Sequence, residues 1–191
     1  FEDVSLPRPG VHQGANAAAA LAPVEAFLGG GQGSLDPDAA RAGFAVVSSP
    51  GRLEVLRSSP TVLVDAAHNP HGMAATVAAL TDAFSFTHLV AVVACLADKD
   101  VRTMLEVLEP AVSSIVVSQT ASPRRMPVEE LRELAVEVFG QDRVSVEERL
   151  DDALDAAMAL ADSESAYGGS GVLVTGSVVT AGEARTLLTA R

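Results

Sequence analysis

Apolar residues from position 52 onward follow two alternating patterns, short continuous runs and longer stretches with helical spacing. The short runs are rich in valine and leucine, which is typical of strands buried on both faces. The longer stretches repeat their apolar residues every three or four positions, which predicts amphipathic helices. These patterns predict strands at 53–56, 62–65, 89–95, 115–118, 143–146 and 172–175, and helices at 70–84, 101–111, 127–139, 151–162 and 177–188.

The regular alternation of strand and helix predicts an α/β fold. We expect a Rossmann-like, mainly parallel sheet of about six strands, with helices on both faces and right-handed crossovers. The stretch Ser48-Ser49-Pro50-Gly51, whose residues are typical of loops, precedes this region. We place a domain boundary there, between residues 47 and 48.

The residues before that break have a different pattern. An alanine-rich helix is predicted at 12–28, with Leu21, Val24 and Phe27/Leu28 at helical spacing, and a short helix at 37–44. Between them, the stretch 29–34 is rich in glycine and is interpreted as a flexible break. Residues 1–11 show a short strand pattern broken by prolines, which we interpret as the end of something upstream.

The stretch VLVDAAHNPHG, residues 62–72, is the most informative part of the chain. An apolar strand pattern runs directly into Asp65, His68 and Asn69. Asn69-Pro70 predicts a helix start, with Asn as the N-cap and Pro as the first helical residue. Open α/β sheets bind ligands where a strand ends in polar residues before a helix, and the helix N-terminus favours an anion.

Polar side chains also follow three other predicted strands. Because the carboxyl ends of parallel strands share one edge of the sheet, these side chains should converge with those of residues 65–69. The three groups are Asp98-Lys99-Asp100, the stretch from Ser118 to Arg125, and Thr175-Gly176-Ser177.

Local sequence leaves two interpretations open for most of these residues. Asp65 could accept the hydroxyls of a ribose, or it could cap the next helix. His68 could contact a ligand, or it could bond a loop carbonyl. Lys99 could neutralise an anionic substrate, or it could lie in an exposed charged turn. Cys95 has no histidine or cysteine beside it and is predicted to be buried and inert.

Composition and charge limit the possible functions. The net charge of −12 argues against nucleic-acid binding, although not against a nucleotide ligand. The apolar runs are too short to span a bilayer, no signal-peptide pattern is present, and there is one cysteine, so we expect a soluble cytoplasmic protein. The chain begins at Phe1 without a methionine and is interpreted as a fragment. It contains no phosphate loop, no GxGxxG after a strand and no metal-ligand set.

Five segments, taken in order, resemble a known family. They are HQGAN at residues 12–16, PGRLE at 50–54, VDAAHNP at 64–70, DKD at 98–100 and VTGS at 174–177. Together they resemble the folylpolyglutamate synthase/dihydrofolate synthase family of the Mur ligase superfamily. Ala66 stands where that family usually has glycine.

The resemblance implies an ATP-dependent amide-bond ligase. ATP phosphorylates the carboxylate of a folate or dihydropteroate, and the amino group of L-glutamate attacks the acyl phosphate. Residues 1–47 would end the central ATPase domain and its linker, and residues 48–191 would form the C-terminal glutamate ligase domain. The phosphate loop and the Mg²⁺ ligands would lie upstream, so these 191 residues alone would be inactive. The intact enzyme would be a monomer.

The resemblance also implies roles for four residues. Asn16, Arg52 and Asp65 would contact ATP, with Asp65 on the ribose hydroxyls and Arg52 on the phosphates from the hinge. His68 would lie near the nucleotide and the incoming glutamate, so that Arg52 and His68 are the expected catalytic residues. Two alternatives remain: a stand-alone regulatory module that binds a nucleotide, and another Mur-type ligase of peptidoglycan synthesis.

Overall fold

The chain divides into two compact units, residues 1–50 and residues 51–191. The computed structural model describes residues 4, 6, 7, 10, 12–29, 35–163 and 169–190. The expected strand pattern at 1–11 and the glycine-rich break at 30–34 therefore fall largely outside the described residues. No helix in the described part of the chain combines the length and apolar character needed to cross a membrane.

The first unit contains two helices, α1 (His12–Gly29) and α2 (Pro37–Ala45). Gly29, which the sequence assigns to the break, is the last residue of α1. The side chain of Asp36 caps α2 by accepting a hydrogen bond from the Asp38 amide at 3.1 Å. The apolar residues of α1 at Val24, Phe27 and Leu28 are exposed, so the face predicted from their spacing is not buried here.

The second unit is a six-stranded sheet covered by five helices among its described residues. The sheet order is β1-β2-β6-β3-β4-β5. The strands are β1 (Glu54–Ser58), β2 (Thr61–Val64), β3 (His88–Val93), β4 (Ser114–Val117), β5 (Val144–Val146) and β6 (Ser170–Thr175). The helices are α3 (Pro70–Ala83), α4 (Val101–Leu108), α5 (Val128–Phe139), α6 (Leu150–Ser163) and α7 (Val178–Thr189).

All neighbouring strands are parallel except the edge pair, in which β1 runs antiparallel to β2. Helices α3, α4 and α5 pack on one face of the sheet, and α6 and α7 pack on the other. The chain moves outward from β2 to β5 and then returns through α6, which places β6 between β2 and β3. The mainly parallel, two-face α/β fold predicted from the sequence is confirmed.

Alternate residues of the strands face the two helical layers. Leu63 and Leu173 point toward α3–α5, whereas Val62, Val64 and Val172 point toward α6 and α7. All five side chains are fully buried. Burial on both faces explains why the strands are continuous apolar runs rather than alternating patterns.

The start of β6 differs from the sequence prediction, which began this strand at residue 172. Ser170 pairs with His88, and Gly171 pairs with both Thr61 and Leu89. A Cβ atom on Gly171 would lie 2.4 Å from the Phe86 ring, so glycine is required by this close approach. Because neither serine nor glycine contributes an apolar side chain, the hydrophobic pattern gave no signal for these two positions.

The end of β6 approaches the end of β3 closely at Gly176. This residue has a φ of +114°, and a Cβ atom there would lie 2.6 Å from the Ala94 carbonyl oxygen. Both the backbone conformation and the contact exclude a side chain.

We therefore expect Gly176→Ala to lower the free energy of unfolding by about 2–4 kcal/mol, through steric overlap and backbone strain. Urea denaturation measures this change. Gly182→Ala is the matched control, because no atom lies within 4 Å of that Cβ position on α7. The control should raise the stability by about 0.5–1 kcal/mol, as expected of Gly→Ala in a helix. Equal stability of the two variants would contradict this account.

Cys95 is fully buried just beyond β3. Burial raises the pKa of its thiol from 9.0 to about 12. The predicted buried position is confirmed, and a thiol with this pKa is almost entirely protonated near neutral pH.

We expect iodoacetamide to modify Cys95 in the folded chain at pH 8 at least ~100-fold more slowly than in the urea-unfolded chain. The reason is that the nucleophile is the thiolate, which is both scarce and shielded. Mass spectrometry of timed samples measures the two rates. Comparable rates in the folded and unfolded chains would contradict the buried position.

Candidate functional site

Strands β2 and β6 end side by side at the carboxyl edge of the sheet, and we call the position between their ends the β2/β6 crevice. Helix α3 follows β2 on one face, and α7 follows β6 on the other, so the two connections part at this point. Open α/β sheets bind ligands at such positions. The crevice is therefore the first candidate for a functional site.

Both helices at this crevice begin with a side-chain cap. Asn69 accepts a hydrogen bond from the Gly72 amide at 2.7 Å, which confirms the predicted N-cap. Ser177 accepts one from the Thr180 amide at 2.9 Å. The remaining free amides of the first turns and the helix dipoles favour a bound anion at this edge.

Asp65, directly after β2, is 4% exposed, and three groups of the chain donate hydrogen bonds to its carboxylate. The Leu53 amide donates to Oδ2 at 2.9 Å. The Ala67 amide and the Thr76 hydroxyl donate to Oδ1 at 2.9 and 2.8 Å. In this arrangement Asp65 braces the loop and α3 but does not cap that helix, whose N-cap is Asn69. The proposed contact of Asp65 with ribose stays a prediction.

The turn that carries Arg52 is fixed against the loop after β2. Gly51 and Leu53 have positive φ angles of 69° and 41°. The Ala66 amide donates to the Gly51 carbonyl at 2.8 Å, and the Gly51 amide donates to Glu54 Oε2 at 2.8 Å. Because Asp65 also holds the Leu53 amide, the backbone is anchored on both sides of Arg52. The positive φ of Leu53 is unusual for a leucine.

The Arg52 side chain is exposed, next to the division between the two compact units. The described residues make no hydrogen bond or ion pair with its guanidinium group. Arginine remains charged at any physiological pH and can bind phosphate in a bidentate manner. The structure thus presents a charged group on a fixed turn at the edge of the second unit.

His68 is half-buried, and its Nδ1 lies 3.0 Å from the Ala66 carbonyl oxygen. This is the loop-carbonyl contact that the sequence left as one of two interpretations. Because a carbonyl can only accept, Nδ1 carries the proton in this bond. The other nitrogen, Nε2, is then the one that can accept a proton or bond a ligand.

The loops after β3 and β4 are joined by ion pairs on Asp98. Its Oδ2 lies 3.1 Å from Lys99 Nζ and 2.8 Å from Arg124 Nη2. These two cations, Lys99 first, hold the pKa of Asp98 below its usual value. Lys99 is therefore engaged with a neighbouring carboxylate, in agreement with the charged-turn interpretation.

The structure brings the predicted residues together only in part. Asp65, His68 and the turn that carries Arg52 lie together beside the end of β2. Asn16 lies in the first unit on α1, exposed, and its Nδ2 donates to Gln13 Oε1 at 3.4 Å. Within the described ranges, no group of three or more His, Cys, Asp or Glu side chains could hold a metal ion.

The sequence pointed to Thr175 and Ser177 at this edge, but sequence reasoning missed Thr76 and Thr180, whose hydroxyl groups also build it. Ser177 Oγ and Thr180 Oγ1 are 2.7 Å apart, and Thr180 Oγ1 donates to the Ala94 carbonyl at 2.6 Å, which ties α7 to the end of β3. Thr76 likewise holds Asp65 from α3. Thr175 Oγ1 is buried at the end of β6, with no hydrogen-bond partner among the described residues. Polar positions on otherwise apolar helix faces, such as Thr76 and Thr180, were the available signal.

Asp65→Asn should lower the free energy of unfolding by about 1–3 kcal/mol, because the amide NH₂ leaves at least one buried donor without an acceptor. Denaturation in urea measures the loss. Asp82→Asn, on the exposed part of α3, is the matched control and should change stability by less than about 0.5 kcal/mol. If both variants were equally stable, the three bonds to Asp65 would not constrain the fold.

Comparison with known proteins connects this geometry to a family. Residues 51–178 match the family model described as Mur ligase, glutamate ligase domain. The chain is 51% identical over 196 aligned positions to the dihydrofolate synthase/folylpolyglutamate synthase of Mycobacterium tuberculosis, covering 98% of this chain and 40% of that protein.

Solved structures give the same result. A Mycobacterium tuberculosis folylpolyglutamate synthase complexed with ADP and AMPPCP is similar to this chain with a TM-score of 0.93 and 52% identity, over 98% of this chain and 42% of that one. Escherichia coli FolC in complex with DHPP and ADP is similar with a TM-score of 0.82 and 29% identity, over 100% of this chain and 42% of that one.

The chain thus spans about two fifths of the length of these relatives. The match covers the sheet, the crevice between β2 and β6 and the turn of Arg52. The chain belongs to the Mur ligase family, and residues 51–178 are its glutamate ligase domain.

Proposed function

We propose that these residues form the C-terminal part of an ATP-dependent ligase that adds L-glutamate to folates, to dihydropteroate or to both. The observation that carries this proposal is the anchored Arg52 turn beside the β2/β6 crevice, in a chain 52% identical to a folylpolyglutamate synthase complexed with ADP and AMPPCP. The reaction would form an acyl phosphate, which the amino group of glutamate then attacks.

Arg52 would stabilise the phosphoryl group as negative charge develops on it. A positioned guanidinium group does this without reorganisation during the reaction. The anchors on either side of Arg52 supply that positioning, since Leu53 is held by Asp65 and Gly51 by Ala66 and Glu54. The position of the turn at the division between two units supports a role in which domain closure brings the charge to the nucleotide.

Asp65 and Asn16 are the other proposed nucleotide contacts. Oδ2 of Asp65 accepts only one of the three observed bonds and keeps a lone pair for a ribose hydroxyl. The proposed ribose contact requires that this side chain, 4% exposed here, becomes accessible to the nucleotide. Asn16 would contribute from α1 of the first unit, where its amide is exposed.

His68 and the two capped helices would act on glutamate. Nε2 of His68 can accept a proton from the attacking amine, because Nδ1 is committed to the Ala66 carbonyl. The amide groups at the starts of α3 and α7 can bind the carboxylates of glutamate. Closure that excludes water would protect the acyl phosphate from hydrolysis.

Magnesium is expected to assist phosphoryl transfer in such a ligase. The described residues contain no group of three or more His, Cys, Asp or Glu side chains that could hold a metal ion. We therefore propose that the metal ligands lie on the ATPase part of the intact enzyme, which we also propose acts as a monomer.

A chimera tests this proposal. In it, residues 51–191 replace the corresponding segment of the Mycobacterium tuberculosis relative, and glutamate-dependent ADP release is measured with a folate or dihydropteroate. We expect turnover by the chimera and none by the 191-residue chain alone. Arg52→Ala in the chimera should lower kcat by about 10²–10³-fold, the usual effect of removing a charge-stabilising group.

Arg132→Ala is the matched control, because that arginine lies on α5 and pairs with Glu129 one helical turn away. The control should leave turnover within about twofold, as expected of an exposed ion pair. Turnover by the chain alone would contradict the proposed division of labour. A chimera that folds but shows no glutamate-dependent ADP release would contradict the proposed function. A chimera whose kcat is unchanged by Arg52→Ala would contradict the role of Arg52.

A further inference from the structure

Helix α7 lies against the turn that carries Arg52. A Cβ atom on Gly51 would lie 3.4 Å from the Cβ of Ala181, so the helix packs closely on the residue before Arg52. Arg185 follows Ala181 by four positions, which places both residues on the same face of α7. Its Nε donates at 3.2 Å to Oε1 of Glu54, which follows the turn as the first residue of β1. Helix α7 therefore contacts the chain on both sides of Arg52.

The two oxygens of the Glu54 carboxylate have different partners. Oε1 accepts from Arg185, and Oε2 accepts from the Gly51 amide at 2.8 Å. Charge-assisted hydrogen bonds to both oxygens restrict the orientation of a carboxylate. The Glu54 side chain is 18% exposed, so water competes only in part for these two bonds. Arg185 thus helps to fix the carboxylate that holds the backbone next to Arg52.

Helix α7 is itself fixed to the sheet. Thr180 Oγ1 donates to the Ala94 carbonyl at 2.6 Å, just beyond the end of β3. Thr180, Ala181 and Ala184 are buried between the helix and the sheet. A side chain on a rigid helix positions its partner more precisely than one on a loop. The contacts therefore run from the sheet through α7 and Glu54 to the turn.

We propose that Arg185 is a positioning residue for Arg52 and acts through Glu54. This inference rests on the proposed function, in which Arg52 stabilises the phosphoryl group. Without Arg185, the Glu54 carboxylate is free to rotate away from the Gly51 amide, and the turn loses one of its anchors. The bonds of the turn with Ala66 and Asp65 remain, so Arg52 is displaced rather than released.

Kinetics of the chimera test the effect on catalysis. We expect Arg185→Ala to lower kcat about 5–10-fold, less than Arg52→Ala, because displacing a charge costs less than removing it. KM for ATP and L-glutamate should stay within about twofold, since the charge acts chiefly in the transition state. Arg185→Lys keeps a cation that can reach Glu54 and should restore most of the lost kcat. Arg132→Ala, the control on α5, removes an equal charge and should leave kcat within about twofold.

A double-mutant cycle separates positioning from a general structural role. If Arg185 acts through Arg52, adding Arg185→Ala to Arg52→Ala should change kcat by less than about twofold. A general structural role would lower kcat by the same factor in both backgrounds. That outcome, or a kcat unchanged by Arg185→Ala alone, would overturn the proposal.

Amide hydrogen exchange in the 191-residue chain gives a readout that needs no ligase activity. Arg185→Ala should accelerate exchange at the Gly51 amide by about tenfold or more, because its acceptor is no longer fixed. Exchange at the Leu53 amide should not change, since Asp65 accepts from it. An unchanged rate at Gly51 would overturn the proposal.

The two measurements distinguish the positioning role from the ligase function. Faster exchange at Gly51, together with a chimera that folds but shows no turnover, would support the link from Arg185 to the turn and count against the ligase function. Turnover that depends on Arg52 but not on Arg185 would support the ligase function and overturn the positioning role.

Discussion

The carboxylate of Asp65 is the constraint on which the candidate site depends. Burying a carboxylate costs free energy unless donors replace the lost water. Here the donors come from the turn before β1, the loop after β2 and helix α3. One side chain therefore fixes three segments relative to one another. Arg52 is displayed at the surface because its neighbour Leu53 is held underneath.

The positive charges of the second unit fall into two groups with different consequences. Lys99, Arg124 and Arg149 are paired with carboxylates on their own or adjacent loops. Arg52, Arg57 and Arg125 have no carboxylate partner in the described structure, and Arg57 lies on β1 opposite the start of β2, away from the carboxyl edge. In a chain with a net charge of −12, attraction for an anionic ligand must be local. At the carboxyl edge of the sheet, this attraction comes from Arg52, Arg125 and the helix starts after β2 and β6.

The hydrophobic pattern predicted the fold because the four central strands are buried on both faces and each helix that covers the sheet is buried on one. The residue types at Asn69-Pro70 predicted the helix start, because capping is a local interaction that the sequence shows directly. The sequence could not show that the Asp65 carboxylate accepts hydrogen bonds from residues 53, 67 and 76, because those contacts depend on tertiary packing. The same holds for the φ of Leu53 and the contact of Gly171 with Phe86, neither of which leaves a periodic signal.

The position of β6 has a consequence for how the protein is made. This strand is the last of the six that the structure describes, yet it lies between β2 and β3, which no other described strand joins. During synthesis, β2 and its edge partner β1 cannot join the rest of the sheet until residues 170–175 have left the ribosome. The central hydrogen bonds form late and across long sequence separations, a topology that favours slow folding. The unpaired edges of β2 and β3 are exposed until then, which makes nascent and truncated chains prone to aggregation.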